Sequence, residues 1–247
     1  MSQTFDKTSL PEALFHANDL ARARFTRGWL KGASFSSCNL TDVAIRRCDI
    51  GRMTVDGIRI DLLLEAEKDR LDGRRVRLRI ADPYNVAEVR RAVGELETVR
   101  EQFADRLRAV PPEHLIALTG DWQWSALEHL RHLLFAEELY TNRWILRNNE
   151  PFSRLGLLPD WLEGKREYEA VGAEPTQDLD AVLTAWQRVH QRTRQVLDTL
   201  SENVLRRSVK DLSFGQSDVA AVFGTLTGHD LYHIRLAEWV LAEVGSR

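Results

Sequence analysis

From Phe15 to Ile60 every fifth residue is apolar: Phe15, Leu20, Phe25, Leu30, Phe35, Leu40, Ile45, Ile50, Val55 and Ile60. A helix repeats its buried face about every 3.6 residues and a strand every second residue, so a period of five fits neither. Two places before each of these positions stands a mostly small residue: Ala13, Asn18, Ala23, Gly28, Ala33, Cys38, Val43 and Cys48, with the larger Met53 and Ile58 ending the series. Two coupled registers mark a repeat architecture.

This pattern resembles the pentapeptide-repeat family. The resemblance covers roughly residues 13–60 and implies a right-handed quadrilateral β-helix, in which short faces wind into coils that stack at about 4.8 Å. Cys38 and Cys48 fall on the inward small-residue register, where they read as packing in place of alanine. The segment makes only about two coils, and repeat arrays need neighbours or caps. The rest of the chain is therefore expected to cover one end. Arg22, Arg24, Arg27, Lys31, Arg46, Arg47 and Arg52 on this segment, with few acids among them, argue against mimicry of a nucleic-acid duplex.

Composition narrows the partners. With 34 basic and 37 acidic residues the net charge is −3, which gives no electrostatic reason to expect nucleic acid or an anionic membrane surface. Two cysteines and an N-terminus, MSQTFDKTSLPEALF, with neither a basic region nor a long apolar run lead to the expectation of a cytoplasmic protein. No apolar run approaches the length of a membrane span. No Walker loop, dinucleotide fingerprint, CxxC pair or Ser-His-Asp spacing is present.

The first 61 residues are thus read as the repeat domain, 62–84 as a connector, and 85–247 as a helical domain. In the connector, LLLEAEKDRL has a helical pattern, while Val76, Leu78 and Ile80 alternate and predict a short strand before Pro83. From Val86 the period becomes helical: Val89, Val93, Leu96, Phe103 and Leu107 mark a first helix ending before Pro111 and Pro112. Ser125 and Glu128 form a potential capping box that opens a second helix, apolar almost all round at Leu127, Leu130, Leu133, Leu134, Phe135, Ala136 and Leu139. A long connection rich in Pro, Gly and Asn follows and has the character of a lid. Leu179, Val182, Trp186, Val189, Val196 and Leu200 mark a third helix, and a fourth runs from about Ser217 to Val244. Four such helices make a bundle.

His229 and His233 are four apart and share a helix face, close enough to meet one metal ion. His132 lies in the apolar second helix, where an imidazole without a partner is costly to bury. These residues carry a second resemblance. Trp124-Ser125 opening a helix, a histidine eight places after the tryptophan at His132-Leu133, and HxxxH at His229 and His233 resemble the DinB-like (DinB/YfiT-type) four-helix bundles, over about 85–245. In related fused sequences the position of His229 is often glutamate; histidine here corresponds to the ordinary three-histidine site. The resemblance implies a divalent metal ion, zinc or nickel, held by His132, His229 and His233. His129 is the competing ligand, and the tryptophan spacing favours His132. Glu128 or Asp230 could orient a ligand, although capping suits Glu128 and a surface position suits Asp230. Glu137 and Glu138 read as solvated or salt-bridged, and His16, His114 and His190 fit no motif. Trp122, Trp144, Trp161, Trp186 and Trp239 read as core and interface mass.

Three neutral imidazoles leave coordination positions open, which suits catalysis more than a closed structural site. The family includes thiol-dependent transferases related to mycothiol and bacillithiol chemistry. The resemblance thus implies a thiol-dependent S-transferase or related detoxification enzyme, with a low-molecular-weight thiol and an electrophilic small molecule as partners, and a homodimer. Hydrolysis is a second chemistry open to such a site. A different reading is a non-catalytic, metal-stabilised binding or stress-response module that uses the coil as a protein-contact surface. Proton competition for the ligands is expected near pH 6.5, the ordinary histidine range.

The short coil leads to one expectation about stability: residues 1–62 expressed alone should not give a soluble monomer with a cooperative melt, because their apolar end lacks a cover. A cooperative thermal transition of that fragment, followed by circular dichroism, would overturn it.

Overall fold

The computed structural model describes residues 12–16, 18–25, 28–45, 48–119, 124–209 and 217–246. Arg27, Arg46, Arg47 and Trp122, singled out above, lie outside them. The chain divides into two compact units, 1–49 and 50–247.

In the first unit the five-residue period appears as turns at twice that spacing. Ala23 N–H donates to Leu20 O at 2.9 Å, Ala33 to Leu30 at 3.0 Å and Val43 to Leu40 at 3.2 Å. The third residue of each turn has positive φ, at Arg22, Gly32 and Asp42, and Asp19 and Asn39 accept from the backbone two residues on. The described residues of this unit contain no strand. The ladder from Phe15 to Ile45 is 46–61% exposed where described, and Cys38 and Cys48 are exposed as well. The inward packing expected of both cysteines is therefore not found. A repeat of this kind buries its ladder only against stacked neighbours, and so few repeats supply little stacking.

The second unit begins with a hairpin, β1 (Thr54–Val55) paired antiparallel with β2 (Ile58–Arg59), Val55 opposite Ile58. Asp56 and Gly57 at its tip both have positive φ, 49° and 79°, the conformation that Asp-Gly hairpin turns require. Helix α1 (Ile60–Leu71) follows, and then α2 (Gly73–Leu78), where the alternation of Val76, Leu78 and Ile80 predicted a strand. Capping decides the outcome. The Asp72 side chain accepts from Arg74 N–H, and Arg74 also reaches Glu238 with two bonds of 2.9 Å, tying α2 to the last helix.

Four longer helices form the bundle: α3 (Val86–Arg108), α5 (Ala126–Glu137), α6 (Leu179–Asp198) and α8 (Val219–Gly245), with short α4 (Pro112–Ile116) and α7 (Glu202–Leu205) between them. Helices α3 and α5 each pack on both α6 and α8. The core is the predicted one, with Val89, Val93, Leu96, Phe103, Leu130, Leu133, Trp186, Phe223 and Leu226 among its buried residues. No described helix is long and apolar enough to cross a membrane.

Helix α5 does not end at Glu137. It widens into a π-helix over Glu138–Ile145, closed by Leu146 N–H bonding to Thr141 O at 2.9 Å. The long connection then folds back onto α5: Phe152 and Tyr168 pack on Phe135 at 5.4 and 5.6 Å between ring centroids. Ser153 N–H donates to the Glu138 carboxylate at 2.9 Å, and burial pushes that carboxyl up to about 7. Gly156 sits where a Cβ would lie 3.0 Å from Val171 Cγ1 and 3.3 Å from Phe135 Cβ, so any larger residue would have to displace these neighbours by a few tenths of an ångström. The connection is thus packed against α5.

Candidate metal centre

Ser125 and Glu128 set the phase of α5. The Ser125 hydroxyl accepts from Glu128 N–H and the Glu128 carboxylate accepts from Ser125 N–H at 2.7 Å, a complete capping box. Glu128 is thereby committed to capping and does not orient a histidine. With that phase, His129 and His132 both face α8, which presents His229 and His233 one turn apart, and four imidazoles meet at the seam.

His132 Nε2 lies 3.3 Å from His229 Nε2. The ring centroids of His132, His229 and His233 are 4.5–5.2 Å apart, and one ring nitrogen of each falls within 4.8 Å of the others. Two nitrogens bound at about 2.0–2.1 Å in a tetrahedral shell are separated by about 3.3 Å. The spacing therefore fits a shared divalent ion. His129 is excluded from this trio but touches it, its Nδ1 lying 3.0 Å from His233 Nδ1.

The other nitrogen of two ligands is already engaged. His132 Nδ1 donates to Leu157 O at 3.1 Å, and the strap that carries Leu157 is held by Leu157 N–H bonding to Arg131 O and by the Arg131 guanidinium on the carbonyls of Leu155 and Gly156. With its proton on Nδ1 and His129 accepting, His233 likewise presents Nε2. Such partners orient metal-binding histidines and fix the tautomer. The Leu157 carbonyl could not be read from the sequence, because it enters through the fold of the long connection.

Burial pushes His132 down to about 3, with His229 adding to the effect, and pushes His129 down to about 4. His233 is also held well below the ordinary histidine range, by burial first and then by the three surrounding imidazoles. The neutral imidazole is the form that binds metal. Trp124 walls the site, its ring 4.7 Å from His132 and 5.8 Å from His233. Tyr140, placed by the π-helix, meets His229 edge-on at 5.6 Å. His229 is the least buried of the three.

Behind the histidines lies a buried charged network whose extent the sequence did not reveal. Arg100 Nε and Nη2 donate to Asp230 Oδ2 at 2.8 and 2.5 Å, and Arg100 Nη1 lies 3.1 Å from Glu137 Oε1. Glu137 also accepts from the Thr193 hydroxyl at 2.9 Å and has His190 Nδ1 at 2.6 Å. Asp230, expected at the surface, is fully buried, because the side of α8 it occupies is covered by α3. Glu137 is fully buried too: the reading as salt-bridged holds and the reading as solvated does not. His190, which fitted no motif, belongs to this network.

Residues 95–237, more than half of the chain, match the DinB superfamily, and the chain belongs to it. No curated protein and no solved structure matches the chain.

Two outcomes follow from the geometry. His132→Ala should abolish stoichiometric binding of a divalent ion, whereas His129→Ala, which removes only an orienting partner, should weaken it by about 10–100-fold at most; metal analysis and chelator competition check the order, and equal losses would contradict it. The depressed histidines also move proton competition below the pH 6.5 suggested by sequence. Between about 6.5 and 4 the unfolded chain takes up protons that the folded, buried imidazoles refuse, so the metal-free protein should lose stability as pH falls through that window. Melting curves across it test the sign, and a flat profile in the metal-free protein would contradict the assignment.

Proposed function

We propose that the chain is a metal-dependent enzyme in which His132, His229 and His233 hold one divalent ion, zinc or nickel, and that it transfers a low-molecular-weight thiol to an electrophilic small molecule. The 3.3 Å separation of the His132 and His229 Nε2 atoms, with His233 completing the trio, is the observation that carries the reading. A bound divalent ion supplies Lewis acidity that favours the thiolate over the thiol. The protein's own part is positional. Leu157 O and His129 hold two ligands in one tautomer, Trp124 covers one side of the trio, and His229, the least buried of the three, marks the side from which a thiol and its acceptor would approach. Family membership agrees with this chemistry. The period-five segment enters the reading as a pentapeptide-repeat coil that serves contacts with other proteins, and the protein as a homodimer.

The test is a screen of small thiols against alkyl halides and epoxides, using protein purified without a histidine tag and reloaded with zinc or nickel. Thiol consumption that requires the ion and disappears in His229→Ala is expected. Stoichiometric metal with no turnover of any thiol would instead favour a non-catalytic, metal-stabilised module.

A further inference from the structure

We infer that Asp230, anchored by Arg100, is the positioning residue for His229: on metal binding its Oδ1 accepts the His229 Nδ1 proton and fixes the tautomer that directs Nε2 to the ion. The inference rests on the metal reading above and extends it to a residue outside the ligand set.

Of the three ligands, His132 has Leu157 O and His233 has His129 at the nitrogen turned away from the trio. His229 Nδ1 is buried with no hydrogen bond among the described residues, and so is Asp230 Oδ1. These two atoms face one another at 3.9 Å. A carboxylate and an imidazole N–H, each buried and each lacking a bond, are about 1 Å from a charge-assisted hydrogen bond. Arg100 occupies only Oδ2, and it clamps that oxygen from two nitrogens, so the carboxylate is held with Oδ1 turned to His229. Burial alone would raise the Asp230 carboxyl, but Arg100 and His229 together keep the group below its ordinary value. Arg100 is itself shared with Glu137.

An asparagine substitution tests this sharply. In Asp230→Asn the amide oxygen is drawn to Arg100, which can only donate, and the NH2 group is left facing the His229 N–H, donor against donor. Cobalt titration of the full chain should show binding weakened by about 10–100-fold, with an altered visible absorption spectrum of the bound cobalt. Thr193→Val perturbs the same network at Glu137 and should lower the melting temperature while leaving cobalt affinity and spectrum unchanged. If wild type binds cobalt and Asp230→Asn matches it in affinity and spectrum, the positioning role is wrong and the metal reading stands. If wild type binds none, both fail. Should Asp230→Asn not fold, the zinc-loaded wild type decides by nitrogen-15 NMR. A slowly exchanging proton on His229 Nδ1 is the expected result, and a proton on Nε2, or fast exchange at Nδ1, overturns the inference.

Discussion

The contact of α5 with α8 is the constraint on which the site depends. It gathers four imidazoles, from His129, His132, His229 and His233, at one seam, where burial keeps His129, His132 and His233 from readily carrying a proton. An apolar seam of the same shape would be more stable, since buried polar groups cost free energy unless fully bonded. What the fold gains is a set of neutral nitrogens already gathered. The capping box at Ser125 and Glu128 fixes the rotation of α5, and with it which residues reach the seam. The strap at Leu157, the ring of Trp124 and the charged layer at Arg100 then finish its three sides.

Several parts of this were legible because their causes are local. The first helix stops before Pro111 and Pro112, the second starts at a capping box, and an i, i+4 histidine pair shares a face whatever surrounds it. The structure gathers His132 with His229 and His233, and the tryptophan whose spacing favoured it packs on both His129 and His132. The misreadings have a shared cause, which is that an apolar pattern does not say what covers it. Asp230 lies about 100° round α8 from His229, an angle that reads as surface until α3 is known to pack there and to bring Arg100 with it. Val76, Leu78 and Ile80 alternate as a strand would, yet Asp72 caps a helix across Val76 and Leu78 and Arg74 anchors it to Glu238. The period-five ladder is plain in sequence, and its side chains remain half exposed in the structure, because neighbours decide burial in a repeat.

The π-helix after Glu137 could not have been anticipated from propensity, since no residue type demands it. Its effect is specific. The widened turn sets Thr141 against Thr193 at 2.9 Å and Tyr140 against His229, so one distortion serves both the charged layer and the histidine cluster. Local departures of this kind are frequent at functional sites.

His132 and His229 are 97 positions apart, and the carbonyl that orients His132 comes from a third place in the chain. An ion seated among them therefore joins segments that a ribosome releases at quite different times. Occupancy would then be a record of history: a molecule carrying metal would already have brought α5, the strap and α8 together, and a cut in the long connection would loosen the carbonyl that orients His132.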